Sequence, residues 1–402
     1  MKKILFFFIV SILGFPGKAP SDLVNSNNEF ALKIYKSVLT EHKNLFVSPF
    51  GLNIALAIAN EGAATVTRQE IEHLLCLEPN PDQAGQYNYF IRRTLNLKDS
   101  SLSECYRRPP DMLPRNEINL ANSIWTGKGL KLSEPFQNTV TTKYYSEIFD
   151  TKKMDNAAVN DMLYQWISEK TRGKITKISK IRPDQALCII NAIYFKGTWD
   201  QPFDRNNTQE GVFYAITGEE INKDFMNEKT YYRYYENSLF QALMLPYHCY
   251  QFSMWVILPK NKFGLDEVEN SFSVNTLQTL LNSNYGREII LSFPKFRIES
   301  DISLKGDLMR LGYRGMFSDQ ADFSQMTSSK QVKLDEIVHK TFIEIDEEQT
   351  EAAAVTKEEF LTIGFSEPSP TIFCADHPFM FIIMDNRTGA ILFMGRYVGF
   401  PH

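Results

Sequence analysis

Apolar residues return every fourth position at Phe30, Ile34 and Val38, which predicts a one-faced helix over Asn28 to Leu39, capped by Asn27 or Asn28. Leu187 to Phe195, Phe252 to Pro259 and Glu288 to Phe296 are apolar or alternating runs of strand length. Phe379 to Met384 and Ala390 to Tyr397 flank Asp385-Asn386-Arg387-Thr388-Gly389, the pattern of a hairpin. No repeat, linker or low-complexity tract divides the chain, so the expectation is one compact domain of mixed helices and strands. Its 402 residues, 43% of them apolar and 23% charged, are enough to bury a substantial core.

One stretch breaks these rhythms. Residues Glu347 to Thr356 read Glu-Glu-Gln-Thr-Glu-Ala-Ala-Ala-Val-Thr. An alanine-rich run after two glutamates is compatible with a helix start. The alternate positions Thr350, Ala352, Ala354 and Thr356 are all small, however, while Glu351 and Lys357 have the other parity. A strand with one slim face is what a packed sheet could admit between two existing strands. The residues that follow cannot continue a helix: Leu361, Thr362, Ile363 and Phe365 surround Gly364, and Pro368 and Pro370 close the segment. Bulky apolar side chains in a loop of that composition point to an element gripped by another protein.

Here the chain resembles the serpins, which trap proteases by inserting a cleaved reactive loop into their own sheet and are themselves a standard example of strand addition. The likeness runs in family order along the chain. Asn44-Leu45-Phe46-Val47-Ser48-Pro49, with Gly62 and Thr67, is similar to the helix-B signature, and Asn160 with Thr171 to Ile175 to the helix-F region. Asn191 to Trp199 resembles the central strand, and Pro294-Lys295-Phe296, Ala321 to Ser324 and Val338-His339-Lys340 follow. His377-Pro378-Phe379 and Leu392 to Arg396 complete the series.

The resemblance implies an α+β fold with a large mixed central sheet, two further sheets, eight or nine helices and an exposed reactive-centre loop over about residues 347–370. It also implies a 1:1 covalent complex between a monomeric inhibitor and its target protease. The protease nucleophile would attack a loop carbonyl of this chain. Counting 17 residues with Glu347 as the first reaches Ile363, with Gly364 after the scissile bond and Thr362 and Phe365 as alternatives. Isoleucine there suits an elastase-like or subtilisin-like pocket; Phe365 would suit a chymotrypsin-like one, and a trypsin-like pocket needs a cation. The hinge would comprise Glu347, Gln349, Thr350, Glu351, Ala352, Ala353, Ala354 and Thr356. Lys295 would pair with Glu347 beside Trp199, and Ser48, Asn191 and His339 would form a polar cluster under the sheet. Three positions depart from the pattern: Gln349 replaces a hinge glycine, Glu358 has the inward parity, and Gly51 replaces a serine of the cluster. A non-inhibitory member, carrying a ligand or acting as a chaperone or storage protein, is the alternative.

Other features refine this picture. Lys2 and Lys3 precede an apolar run from Ile4 to Phe15, and Gly17-Lys18-Ala19 resembles a cleavage site, so residues 1–19 read as a signal peptide of a secreted, extracellular protein. A net charge of −5 gives no reason to expect nucleic acid as partner, and no stretch after the leader is long and apolar enough to span a membrane. Between Asp99 and Glu117, Arg107, Arg108 and Arg115 lie among prolines without helical spacing, a poor version of the glycosaminoglycan site of some relatives. Cys76, Cys105, Cys188, Cys249 and Cys374 are too scattered for a disulfide framework or a metal site, and Cys188 reads as a core residue. Asn206 and Asn386 begin glycosylation sequons. With scattered histidines and no Gly-x-Ser-x-Gly elbow, no catalytic set or cofactor site is expected.

Overall fold

The computed structural model describes residues 21–40, 42–95, 116–127, 129–182, 185–283, 286–329, 332–347 and 369–400. The predicted leader, the arginine–proline stretch, Cys105 and the reactive-loop positions from Gln349 to Glu358 and Thr362 to Phe365 lie outside them.

Nine α-helices occur among the described residues: α1 (Ser21–Val38), α2 (Pro49–Gly62), α3 (Thr65–Leu74), α4 (Gln83–Leu95), α5 (Glu134–Lys143), α6 (Asn156–Lys170), α7 (Leu265–Ser271), α8 (Val274–Asn282) and α9 (Lys305–Arg310). The strands are β1 (Leu45–Val47), β2 (Glu117–Thr126), β3 (Ser146–Asp150), β4 (Leu187–Lys196), β5 (Gln209–Tyr214), β6 (Glu220–Glu236) and β7 (Phe240–Pro246). They continue with β8 (Phe252–Pro259), β9 (Gly286–Pro294), β10 (Phe296–Ser303), β11 (Glu336–Ile345), β12 (Thr371–Cys374), β13 (Phe379–Asp385) and β14 (Ala390–Tyr397).

A five-stranded mixed sheet runs β10–β11–β4–β2–β3, with β11 parallel to β4 and β2 parallel to β3. Its two faces are divided by strand parity. Ile189, Ile193, Ile337 and Ile343 point into the main core, which includes α2. Ala121, Trp125, Cys188, Ile190, Ala192, Tyr194, Val338 and Phe342 point the other way, against Val159, Leu163, Trp166 and Ile167 of α6. Both faces are therefore dry, which explains the nearly unbroken apolar run from Leu187 to Phe195. Helix α2 is itself buried on almost every side, so Leu52, Ile54, Leu56 and Ile58 do not form a single stripe.

The other strands form one continuous path, β1–β14–β13–β8–β7–β6–β9–β12, with β5 also pairing with β6. The two further sheets expected from the sequence thus share the 17-residue strand β6, which pairs with β5, β9 and β7 along its length.

Two sequence expectations change. The first helix begins at Ser21 rather than Asn28, and neither Asn27 nor Asn28 caps it. Both are interior helix residues with buried amides: Asn27 Nδ2 donates to the Ile391 carbonyl, Asn28 Nδ2 donates to the Gly389 carbonyl, and Asn28 Oδ1 accepts from Ile391 N. They tie α1 to the hairpin turn instead of ending a helix. The run Glu288 to Phe296 is two strands, because at Lys295 the chain leaves β9 for β10 in the other sheet. Cys249 is disulfide-bonded, whereas Cys76, Cys188 and Cys374 are thiols, which fits scattered cysteines that can form at most two bridges.

Gly395 lies between its two neighbouring strands, where an added Cβ would come 2.4 Å from Phe381 Cζ and 2.7 Å from the Leu45 carbonyl. Phe381 is held by Phe46 and Phe296 and cannot swing away freely. Gly395→Ala is therefore expected to destabilise the fold by about 1–3 kcal/mol through overpacking, read as a lower urea midpoint with an unchanged slope.

Candidate functional site

The parallel pair β4 and β11 is joined only over part of its length. Seven register pairs run from Glu336 opposite Cys188 to Phe342 opposite Tyr194, and there pairing stops. Above that point β11 stays with β10 and β4 stays with β2. The last residues, Phe195 and Lys196 on β4 and Ile343 to Ile345 on β11, are not paired with each other, and the chain leaves β11 at this unpaired end, the mouth of the wedge, through Asp346 and Glu347.

Below the wedge, the strands are tied by polar side chains on the core-facing parity. His339, Asn191 and Asn122 sit opposite one another on β11, β4 and β2. Ser48, which caps α2 by accepting from Gly51 N (3.1 Å), also donates from Oγ to the Leu392 carbonyl (2.7 Å). The Ser48 backbone N–H donates to His339 Nε2 at 2.9 Å. Because that nitrogen accepts, the proton of the neutral ring belongs on Nδ1, which faces Asn191 Oδ1 at 2.8 Å. Asn191 Nδ2 then donates to Asn122 Oδ1 at 2.7 Å. The Ser48 N–H and hydroxyl, His339 Nδ1 and Asn191 Nδ2 thus each meet an acceptor. Burial lowers the His339 pKa to about 3, so the ring stays neutral at physiological pH.

Gly51 has a structural reason to lack a side chain. A Cβ there would lie 2.5 Å from Asn191 Oδ1, the atom that receives the His339 proton. The glycine gives the Asn191 amide room against α2.

At the mouth of the wedge, Lys295 Nζ lies 2.8 Å from Glu347 Oε2. Thr208 Oγ1 donates to Glu347 Oε1 at 2.7 Å. Burial pushes the Glu347 carboxyl up, but the hydrogen bonds from Lys295 and Thr208 outweigh it and hold the group below its ordinary value. Trp199 Nε1 donates to the Asp346 carbonyl at 3.0 Å, and its ring stacks on Tyr247 with centroids 4.5 Å apart. The Tyr247 ring also lies directly over Gly197, where a Cβ would come within 2.3 Å of it. Phe195, Gly197, Trp199, Tyr247, Glu344, Ile345 and Asp346 line a cavity of about 10 Å³, room for about one water.

Of the residues singled out from sequence, the structure brings together Glu347, Lys295 and Trp199 at the mouth, and Ser48, Asn191 and His339 below it. Asn206 is exposed, whereas the exposed Asn386 uses its amide to bond Tyr250 O and Ser253 Oγ. Sequence reasoning missed Asn122, Thr208 and Tyr247. Thr208 was read only as the third residue of a sequon, and Asn122 lacked any signal until the register set it beside Asn191.

The match to known proteins agrees with this geometry. Residues 25–399 match the family model described as Serpin (serine protease inhibitor). An uncharacterized serpin-like protein of Thermococcus kodakarensis is 34% identical over 378 residues, covering 93% of this chain and 85% of that protein. Human serpin I2 is 30% identical over 400 residues, covering 98% and 95%. Among solved structures, native tengpin, a thermophilic serpin, superposes with a TM-score of 0.80 at 26% identity, covering 94% of each chain. Human thyroxine-binding globulin gives 0.81 at 26% identity, covering 94% of this chain and 98% of that one.

The buried imidazole makes stability depend on pH. The unfolded chain protonates His339 below about pH 6.5, but the folded chain resists down to about pH 3. Between these values the unfolded state binds the extra proton, so stability falls as pH falls, by up to about 1.4 kcal/mol per pH unit. The Glu347 contribution works in the same direction but persists until the pH falls through its depressed carboxyl range. Denaturant titrations of wild type and His339→Gln between about pH 5 and 7 should show a shallower pH slope in the variant. Equal slopes would mean that the ring takes up its proton in the folded chain as readily as in the unfolded one.

Proposed function

Because the chain belongs to the serpin family, whose members are generally protease inhibitors rather than enzymes, we propose that it is a secreted suicide inhibitor of a serine or cysteine protease. The observation that carries this reading is the partial pairing of β4 and β11. These strands are parallel, and the chain emerges from β11 at the open end of the wedge. A segment folding back from Glu347 between them would run antiparallel to both. Insertion would exchange one parallel ladder for two antiparallel ones, and parallel pairing is the slightly weaker kind.

In this reading the Glu347–Lys295 pair and the Trp199–Asp346 bond close the entrance, and the Ser48–His339–Asn191–Asn122 ladder holds the strands beneath it. The target nucleophile attacks the Ile363 carbonyl, the bond to Gly364 breaks, and the Gly364 amine leaves with the acyl-enzyme formed on Ile363. The slim positions Thr350, Ala352, Ala354 and Thr356 let the freed segment enter. The protease is carried along with its catalytic geometry disturbed, and a displacement of about 1 Å is enough to slow deacylation greatly. Ile363 favours an elastase-like or subtilisin-like target.

Mixing the protein with elastase, subtilisin or chymotrypsin should give an SDS-resistant band near the summed mass. Loop cleavage should also raise the thermal midpoint, as strain is released. Cleavage by every protease without such a band would favour a non-inhibitory member, to which the likeness to thyroxine-binding globulin is equally compatible.

A second outcome follows from Glu358. Its inward parity would bury an unpaired carboxylate late in insertion, slowing that step and letting hydrolysis compete. Glu358→Ala should lower the number of inhibitor molecules consumed per protease inactivated, measured by active-site titration; an unchanged ratio would place the slow step elsewhere.

A further inference from the structure

The outer face of β6, β9 and β12 carries exposed apolar side chains with no role in the insertion described above. Ile372 on β12 is the register partner of Ile290 on β9, which is opposite Lys229 on β6; the next row sets Tyr231 opposite Glu288. Cross-strand partners share a face. Tyr231 is 64% exposed, Ile290 43% and Ile372 67%, whereas Ile289, Leu291 and Phe373 on the opposite face are buried. Lys229 and Glu288 neutralise each other at 3.0 Å. The face is therefore apolar and locally uncharged, and β12 ends the strand path beside it.

We propose that this face is a docking surface for the body of the target protease, a contact separate from the one made by the loop in the protease cleft. The inference rests on the inhibitory reading. Chain length brings the two contacts within reach: Ile372 lies nine residues after Ile363, a span of at most roughly 30 Å. A protease of a few hundred residues has a radius of gyration of about 17 Å or more, so one that grips the loop overhangs the sheet edge. The size of the patch also selects this occupant. Three partly exposed side chains amount to a few hundred Å², well below the ~800 Å² per partner of a stable complex. That is too little to hold a second copy of the chain, but enough to add to a contact that the loop already provides. The neutral Lys229–Glu288 pair selects an uncharged apolar rim, so the contribution should respond little to salt.

The test is the association rate with an elastase-class protease. Tyr231→Ala combined with Ile372→Ser should slow complex formation about tenfold at both low and high salt. The stoichiometry and thermal midpoint should stay at wild-type values. An unchanged rate would overturn the proposal, as would a wild-type dimer in sedimentation that the double variant abolishes. Cys374 supplies an independent readout, because it is a half-buried free thiol on the same outer face, opposite Ser292. In the presence of protease whose catalytic serine is replaced by alanine, alkylation of Cys374 should slow while that of the free thiol Cys76 does not. This footprint needs no trapping. Protection at Cys374 without a covalent band from active protease would sink the inhibitory reading alone, and a band without protection would sink the docking surface alone.

Discussion

The structure depends on how β4 and β11 are held together. Their backbones share one parallel ladder of seven register pairs, which ends before either strand does. Side-chain ties bridge them as well: the Trp199 bond to the Asp346 carbonyl beyond the ladder, and the Ser48–His339–Asn191–Asn122 chain within it. An apolar seam would have been adhesive but indifferent to register. The polar ladder instead specifies which residue lies opposite which, because each donor has one acceptor in place and an unpaired group in that dry layer costs about 1–3 kcal/mol.

The neutrality of His339 is the condition for this arrangement. A charged ring would present two donors, and the Ser48 N–H would face a proton where it needs a lone pair. Gly51 belongs to the same constraint, since a side chain there would displace the acceptor of the other ring nitrogen. What looked from sequence like a departure from the family pattern is matched to the position of Asn191.

The legibility of these parts differed for physical reasons. Strands with both faces buried were visible as unbroken apolar runs, and the Asp385–Gly389 turn was visible because Gly389 takes a positive φ of 80°. The first helix was legible in its apolar repeat but not in its start, because Asn27 and Asn28 serve tertiary partners rather than a cap. The break at Lys295 was passed over as one strand, although the buried parity shifts there, from Ile289, Leu291 and Phe293 to Phe296 and Ile298, as the chain changes sheets. At the site, family likeness pointed to Glu347, Lys295, Trp199, Ser48, Asn191 and His339. Asn122 and Thr208 became visible only through register and through the packing of a loop on β6, neither of which is encoded within a short window of sequence.

That break at Lys295 also explains why the entrance sits where it does. Strand β9 ends at Pro294, Lys295 donates its backbone N–H to the Asp224 carbonyl of β6 (2.9 Å), and β10 begins at once alongside β11. The lysine is thus anchored by the larger sheet through its backbone while its side chain holds the last described residue after β11 in the smaller one. Thr208, from the turn packed on β6, reaches the same carboxylate from the larger sheet. Glu347 is therefore held by a lysine at the junction of the two sheets and by a threonine from the loop before β5, so the chain leaving β11 is tied to the larger sheet as well as to its own. The position of Glu347 thus depends on how the two sheets are set against each other, because Lys295 joins β9 of the larger sheet directly to β10 of the smaller one.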